Sequence, residues 1–280
     1  MPHPNAHAVS PTSAVHMLAA PTISDTSRPS GHTSQRVRSP SRKSMQSSAS
    51  IFITGAGKGL GFFLSHVFHA AGHRVFAGYR EASPELEALG ASGERVHTVP
   101  LDVTQASSVT AAANAVASRC DGLDVLVNNA AILPEAGRGT IETTNVEVGL
   151  QVFDVNSLGP LRVTQAFLPL LRRGKRRLIV NVSSEAGSIA DCWRKDDLLY
   201  CMSKAALNVQ TAILKNALAP EGFQLLAVHP GWMRTSMGGP EADLDPRDAA
   251  EALFELFTRG APRDPDATFY LDYRGQPLRF

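Results

Sequence analysis

From residue 50 onward the sequence predicts an α/β fold: one doubly wound domain on a mostly parallel sheet of seven strands. Three observations predict it. Short β-branched apolar runs recur at 51–54, 74–78, 96–100, 124–128, 177–182, 224–229 and 268–271. Segments of helical pattern separate them, near 59–71, 83–89, 105–118, 145–172, 198–219 and 247–259. A glycine-rich turn, Thr54-Gly55-Ala56-Gly57-Lys58-Gly59-Leu60-Gly61, joins the first run to the first helix. The runs are nearly continuous in apolarity, as strands covered on both faces must be. Repeated β-α units imply parallel pairing through right-handed crossovers, with helices on both sides. No internal repeat and no second folded domain is visible.

Residues 1–49 differ in kind. They are rich in Ser, Pro, His, Thr and Arg, hold one acid (Asp25) and show no apolar periodicity. Such a segment buries too little surface to offset its ordering entropy, so it is expected to be a disordered leader ahead of a domain at 50–280. Its Arg and Ser with few acids resemble an import segment, although the arginines begin only at Arg28 and no amphipathic helix precedes them. Met45 just before the first strand leaves a second explanation, an extension from an upstream start. The cytoplasm is the expected location, with organellar import the alternative.

A formal charge of +1 gives no electrostatic case for nucleic acid or an anionic membrane surface. No apolar run approaches the ~18 residues needed to span a bilayer. The odd count of three cysteines, Cys120, Cys192 and Cys201, without metal-ligand spacing, suits buried thiols in a reducing compartment, and no metal site is expected.

The chemistry is concentrated in two places. Tyr200 and Lys204 stand at i and i+4, so they share a helix face. An ammonium held there favours the phenolate and makes the tyrosine a proton donor or acceptor near neutral pH. Gly55, Gly59 and Gly61 follow a strand and open a helix, where bare backbone can approach a pyrophosphate at the helix N-terminus. Together these point to a nicotinamide-dependent oxidoreductase.

Further motifs sit at strand ends: Leu101-Asp102-Val103, Asn128-Asn129-Ala130-Ala131, Asn181-Val182-Ser183-Ser184 and Pro230-Gly231-Trp232-Met233-Arg234-Thr235. With the T-G-x-x-x-G-x-G turn and the Tyr-x-x-x-Lys pair, they resemble the short-chain dehydrogenase/reductase family over residues 50–280. The stretches 229–239 and 270–278 resemble its sniffer-like and C-factor-like carbonyl reductase branch. The resemblance implies a Rossmann-type domain that holds a dinucleotide through Thr54, Gly55, Lys58, Gly59, Leu60 and Gly61. It places adenine against Asp102 and Val103, and backs the cofactor with Asn129 and Ala130. Pro230, Gly231, Met233 and Thr235 then wrap the nicotinamide end, with Thr235 on the carboxamide or a phosphate. Asp102 could equally be a helix cap. Ala131 replaces the family's glycine and makes that turn less permissive.

Cofactor choice turns on charge at the end of the second strand. Gly78-Tyr79-Arg80 offers no acid there, and Lys58 adds a second cation, which suits the 2′-phosphate of NADP(H) rather than NAD(H). Glu81 follows at once and could swing in. Arg162 matches a basic position that the resemblance associates with the cofactor; otherwise it is a surface arginine on a helix.

Four residues carry the implied catalysis: Asn156, Ser184, Tyr200 and Lys204. Ser184 is to polarise a substrate oxygen, and Tyr200 to exchange a proton with it. Lys204 is to tune the phenol and hold the nicotinamide ribose. Asn156 is to hold a water that links the lysine to solvent, unless it is merely a buried amide satisfied by backbone. Ser184 precedes Tyr200 by 16 residues, a wider gap than the family's usual one, and the excess falls in the polar stretch 192–197. The implied substrate is a small carbonyl compound or its alcohol, and the short 236–247 segment suits an open pocket. Homodimers or homotetramers are expected through the helices near 145–172 and 198–219. The alternative is a non-catalytic NADP(H)-binding regulator of the same fold.

Overall fold

A computed structural model of the chain describes residues 48–259 and 268–280. Nearly all of the expected leader lies outside the described residues. Ala49, placed with that leader, is buried, and its amide donates to His73 Nδ1 at 3.1 Å.

The elements run β1 (Ser50–Ile53), α1 (Gly59–Ala70), β2 (Arg74–Tyr79), α2 (Pro84–Ala91), β3 (Val96–Pro100), α3 (Ala106–Ala117) and β4 (Val125–Asn128). After them come α4 (Gly149–Phe153), α5 (Gly159–Arg173), β5 (Leu178–Val182), α6 (Leu198–Leu218), β6 (Gln224–His229), α7 (Pro246–Arg259) and β7 (Tyr270–Asp272). Strand order is β3-β2-β1-β4-β5-β6-β7, and all six pairings are parallel. The order reverses between β1 and β4, so the connections leaving these neighbours turn to opposite sides and open a crevice at their carboxyl ends.

Alternation along each strand divides the core. Ile51, Ile53, Val75, Val125 and Val127 face one way, against Leu60, Leu64 and Phe68 of α1 and Leu253 and Phe257 of α7. Phe52, Phe76, Leu126, Ile179 and Leu225 face the other, against Val109 and Val116 of α3 and Val163 and Phe167 of α5. Phe52 and Phe167 meet with ring centroids 4.3 Å apart. Each fully buried phenylalanine contributes about 1.5–3 kcal/mol relative to exposure. That two-sided burial explains why the strands read as unbroken apolar runs.

The expected helix over 145–172 is not one helix. A 3₁₀ turn (Val146–Val148) leads into α4, a π turn (Asp154–Leu158) follows, and α5 then resumes. Pro160 supplies the reason. It has no amide to give the Asn156 carbonyl four residues back, so the regular ladder cannot close across this point.

At the amino edge of the sheet, Asp124 ties three segments together. Its Oδ2 accepts from the Ser50 amide at 2.8 Å and its Oδ1 from the Lys175 amide at 2.7 Å. Asp124→Ala leaves both donors without a partner and is expected to cost about 2–4 kcal/mol, read as a lower urea midpoint with an unchanged slope.

Candidate active site

The crevice floor is a clasp between the loops that follow β1 and β4. Thr54 Oγ1 accepts from the amides of Asn129 and Ala130, each at 2.9 Å. Asn129 Nδ2 returns to the carbonyls of Thr54 at 2.8 Å and Gly55 at 3.2 Å. Both side chains are therefore spent on shaping the backbone. A Cβ on Gly61 would lie 2.4 Å from the Gly55 carbonyl oxygen, so only glycine lets α1 start this close to the turn. Ala131 takes this turn without a positive φ, so the glycine usual in the family is not required here.

The glycine turn faces the segment after β6. A Cβ on Gly59 would stand 3.5 Å from Thr235 Cγ2, which brings Thr235 over the start of α1. Thr235 Oγ1 accepts from the Gly238 amide at 3.2 Å, Gly231 turns at φ +86°, and Met233 packs into the core beside Leu244. Pro230 and Leu60 are buried supports rather than polar contacts. Among the described residues no group of three or more His, Cys, Asp or Glu could hold a metal ion.

Toward the β2 edge, Lys58 stands exposed at the N-cap of α1, and Arg80 is exposed and paired with Glu81 at 3.1 Å. Asp102 makes a local turn, with Oδ1 accepting from the Thr104 amide at 2.9 Å and hydroxyl at 2.7 Å. Burial would raise its carboxyl, but these bonds and the guanidiniums of Arg80 and Arg162 outweigh that and hold it below the usual range. Arg162 does not reach toward the crevice. It donates to the Val103 carbonyl at 2.5 Å and to Asp154 Oδ1 at 2.8 Å, bracing the end of β3 against the π turn. Arg80 and Asp102 line one wall of a groove of about 540 Å³, whose other wall is Leu150, Asp154 and Leu158.

Ser184, Tyr200 and Lys204 are brought together at the end of β5. Ser183 turns away and donates to Asn208 Oδ1 at 2.7 Å, whereas the Ser184 hydroxyl lies beside the Tyr200 phenol. Lys204 is 2% exposed; its Nζ donates to the Val182 carbonyl at 2.8 Å and sits 5.6 Å from the Tyr200 ring centroid. Asn156 joins them at one remove. Its Nδ2 donates to the Ile132 carbonyl at 2.9 Å and to Ser203 Oγ at 3.1 Å, while its Oδ1 accepts from the Ile132 amide at 2.8 Å. The buried amide is held by the Ile132 backbone and the Ser203 hydroxyl.

The electrostatics depart from the expected tuning. Burial pushes the Tyr200 phenol well above its ordinary value; the Ser184 hydroxyl pulls it back, and Glu185 adds to the rise. Burial also drives Lys204 down to about 7. Desolvation is the leading cause of both shifts.

Three polar residues near Ser184 lie outside the set that the motifs point to. Glu185 Oε2 accepts from the Ser184 hydroxyl at 2.6 Å, and Arg194 donates to Glu185 Oε1 at 2.5 Å through one nitrogen and 3.2 Å through another. The Tyr270 hydroxyl donates to the Ser184 carbonyl at 2.5 Å. An acid directly after the serine pair is the one signal of them visible in the sequence. Cys192, expected to be buried, is exposed.

A glycine cradle at the switch point of a parallel sheet, with a Ser-Tyr-Lys cluster after β5 whose serine and lysine are buried and whose tyrosine is half-buried, belongs to an oxidoreductase of the doubly wound α/β class. The short chain dehydrogenase family matches residues 49–244, and the chain belongs to it. It is 38% identical over 158 residues to the C-signal protein of Myxococcus xanthus, covering 56% of this chain and 92% of that one. Among solved structures it resembles the NADPH-bound carbonyl reductase from chicken fatty liver, with TM-score 0.76 and 30% identity over 83% of this chain and 99% of that one. It also resembles the carbonyl reductase Sniffer of D. melanogaster, with TM-score 0.77 and 27% identity over 84% of this chain and all of that one.

The lysine gives a pH signature. The unfolded chain holds its Lys204 proton to near 10.5 while the folded one releases it near 7, so in this window unfolding takes up a proton and Lys204 makes stability rise with pH. Lys204→Met is expected to remove that rise: the urea-midpoint difference between wild type and variant should move in favour of wild type from pH 7 to pH 9.5.

Proposed function

We propose that the chain is an NADP(H)-dependent reductase of small carbonyl compounds, acting in reverse on the matching secondary alcohols. The observation that carries this is the convergence of Ser184 and Lys204 on Tyr200 after β5, in a chain whose Gly55, Gly59 and Gly61 leave bare backbone after β1 at the same carboxyl edge of the sheet. The cradle fits a dinucleotide: backbone stands bare where a Cβ would collide, and Thr235 closes over it. NADP(H) supplies the hydride when bound. The chain's own residues do the rest.

Tyr200 exchanges its phenolic proton with the substrate oxygen. A phenol raised by burial holds that proton firmly at rest and gives it to an oxygen that gains charge as the carbonyl is reduced. Ser184 aligns that oxygen. Lys204, fixed by the Val182 carbonyl, keeps an amine or ammonium behind the phenol and would hold a ribose hydroxyl of the bound cofactor.

NADP(H) is favoured over NAD(H) because β2 ends without an acid and leaves the cations of Arg80 and Lys58 at the surface. The NADPH held by the chicken enzyme agrees with this. Glu81 is already held by Arg80, and a phosphate would displace it. A non-catalytic regulator would need no convergence of serine, tyrosine and lysine, so the enzyme reading is preferred. Self-association fits the large apolar side chains left exposed on two neighbouring helical faces, Leu150 and Leu158 on one and Met202, Val209 and Ile213 on the other. Among the described residues no helix is long and apolar enough to cross a membrane, and the cytoplasm is the proposed location.

Two measurements test the reading. Tyr200→Phe is expected to lower kcat for NADPH-driven ketone reduction by about 10³-fold while the NADPH dissociation constant, from fluorescence titration, stays within about threefold. Arg80→Ala is expected to weaken NADPH about tenfold and leave NADH unchanged, since only the former offers a 2′-phosphate to a guanidinium. Equal losses with both cofactors would remove the NADP(H) assignment.

A further inference from the structure

We infer that Glu185 is a positioning residue that draws the Ser184 proton away from the reacting oxygen, and so sets whether the site prefers a carbonyl or an alcohol. The inference rests on the carbonyl reductase reading. A serine hydroxyl has one proton and two lone pairs. Here the proton is given to Glu185 Oε2 at 2.6 Å, and one lone pair takes the Ala186 amide at 3.2 Å. What remains is a lone pair, on the side where the Tyr200 phenol stands. It suits the O–H of an alcohol and opposes the oxygen of a carbonyl. A hydroxyl bonded to a carboxylate is held about twice as strongly as one bonded to a neutral acceptor, so a ketone competes poorly for it.

The surroundings keep Glu185 charged. Arg194, from the stretch 192–197, grips Oε1, and the same guanidinium reaches Asp197 at 3.4 Å. His229, at the end of β6, brings Nδ1 to 3.2 Å from Oε2 without hydrogen-bond alignment. Burial lowers His229 below its ordinary value, against the pull of Glu185 and Asp272. Tyr200 closes the remaining side from α6. The polar stretch that widens the serine–tyrosine gap thus carries the counter-ion that holds Glu185 in place.

Glu185→Gln keeps the shape and replaces the carboxylate with an amide, whose N–H can point at Ser184 Oγ and free the serine proton. With acetophenone and 1-phenylethanol as probes, the ratio of alcohol KM to ketone KM is expected to rise about tenfold. Because the overall equilibrium is fixed, the ratio of oxidative to reductive kcat must rise with it. Arg194→Gln loosens the counter-ion and should move the ratio the other way. A merely structural role would change both substrates alike, and an unmoved ratio overturns the inference. A second readout needs no substrate: ¹⁹F NMR titration of protein carrying 3-fluorotyrosine, with Tyr200 assigned through Tyr200→Phe. In Glu185→Gln the Tyr200 signal should titrate lower by about half a pH unit or more, because a charge is lost and a donor is gained. If wild type turns over neither probe, the carbonyl reading fails for such ketones and the titration alone decides; an unshifted Tyr200 then overturns the role of Glu185.

Discussion

The clasp between Thr54 and Asn129 is the contact on which the rest of the site depends. Two adjacent parallel strands, β1 and β4, send their chains to opposite faces of the sheet, and this would strand backbone donors and acceptors at the bottom of the resulting crevice. One hydroxyl takes two amides and one carboxamide returns to two carbonyls, so the floor is satisfied by its own walls. The crevice can then remain open with bare glycine backbone above it. Residues that the sequence suggests as cofactor contacts are here the mould that makes the contact surface.

The catalytic cluster obeys a different constraint, desolvation. A charge removed from water is penalised unless paired, and each pKa unit corresponds to about 1.4 kcal/mol between protonation states. Tyr200 moves up and Lys204 moves down, so the unliganded pair drifts toward neutrality. Glu185 escapes the same fate: burial would raise it, yet His229, Ser184 and Arg194 together hold its carboxyl below the usual range. The settled negative charge of the cluster therefore lies beside the serine, one residue away from where the family pattern directs attention.

Much of the fold is legible in the sequence because burial on both faces leaves a strong imprint. The runs at 96–100 and 224–229 coincide with β3 and β6, and the other strands shift by no more than two residues at either end. The break in 145–172 is hidden because apolar periodicity reports which face is buried and does not register the missing Pro160 amide. Local pattern also misleads about partners: Arg162 reads as a cation free for a ligand until the fold places the Val103 carbonyl and Asp154 within its reach. The Tyr200 and Lys204 pair is readable because both lie on one helix turn. The network of Glu185, Arg194 and His229 comes from three separate segments, and no spacing rule links them.

That convergence bears on how the serine is aimed. Ser184 hangs at the end of β5 with no regular structure of its own to fix it, only a short 3₁₀ turn, Glu185–Gly187, directly after it. Three distant elements hold it instead: Tyr270 of β7 grips its carbonyl, Arg194 restrains the carboxylate that holds its hydroxyl, and Tyr200 of α6 stands at its open side. Phe280 stacks on Tyr270 with ring centroids 5.0 Å apart, and its carbonyl accepts from Ala190 at 2.8 Å, so the segment beyond β7 buttresses the same loop from behind. A hydroxyl must be placed to within a fraction of an ångström to favour one transferring proton over another. A strand end alone gives no such control, whereas a residue held by its carbonyl, its hydroxyl proton and one lone pair has a single direction left in which to meet a substrate.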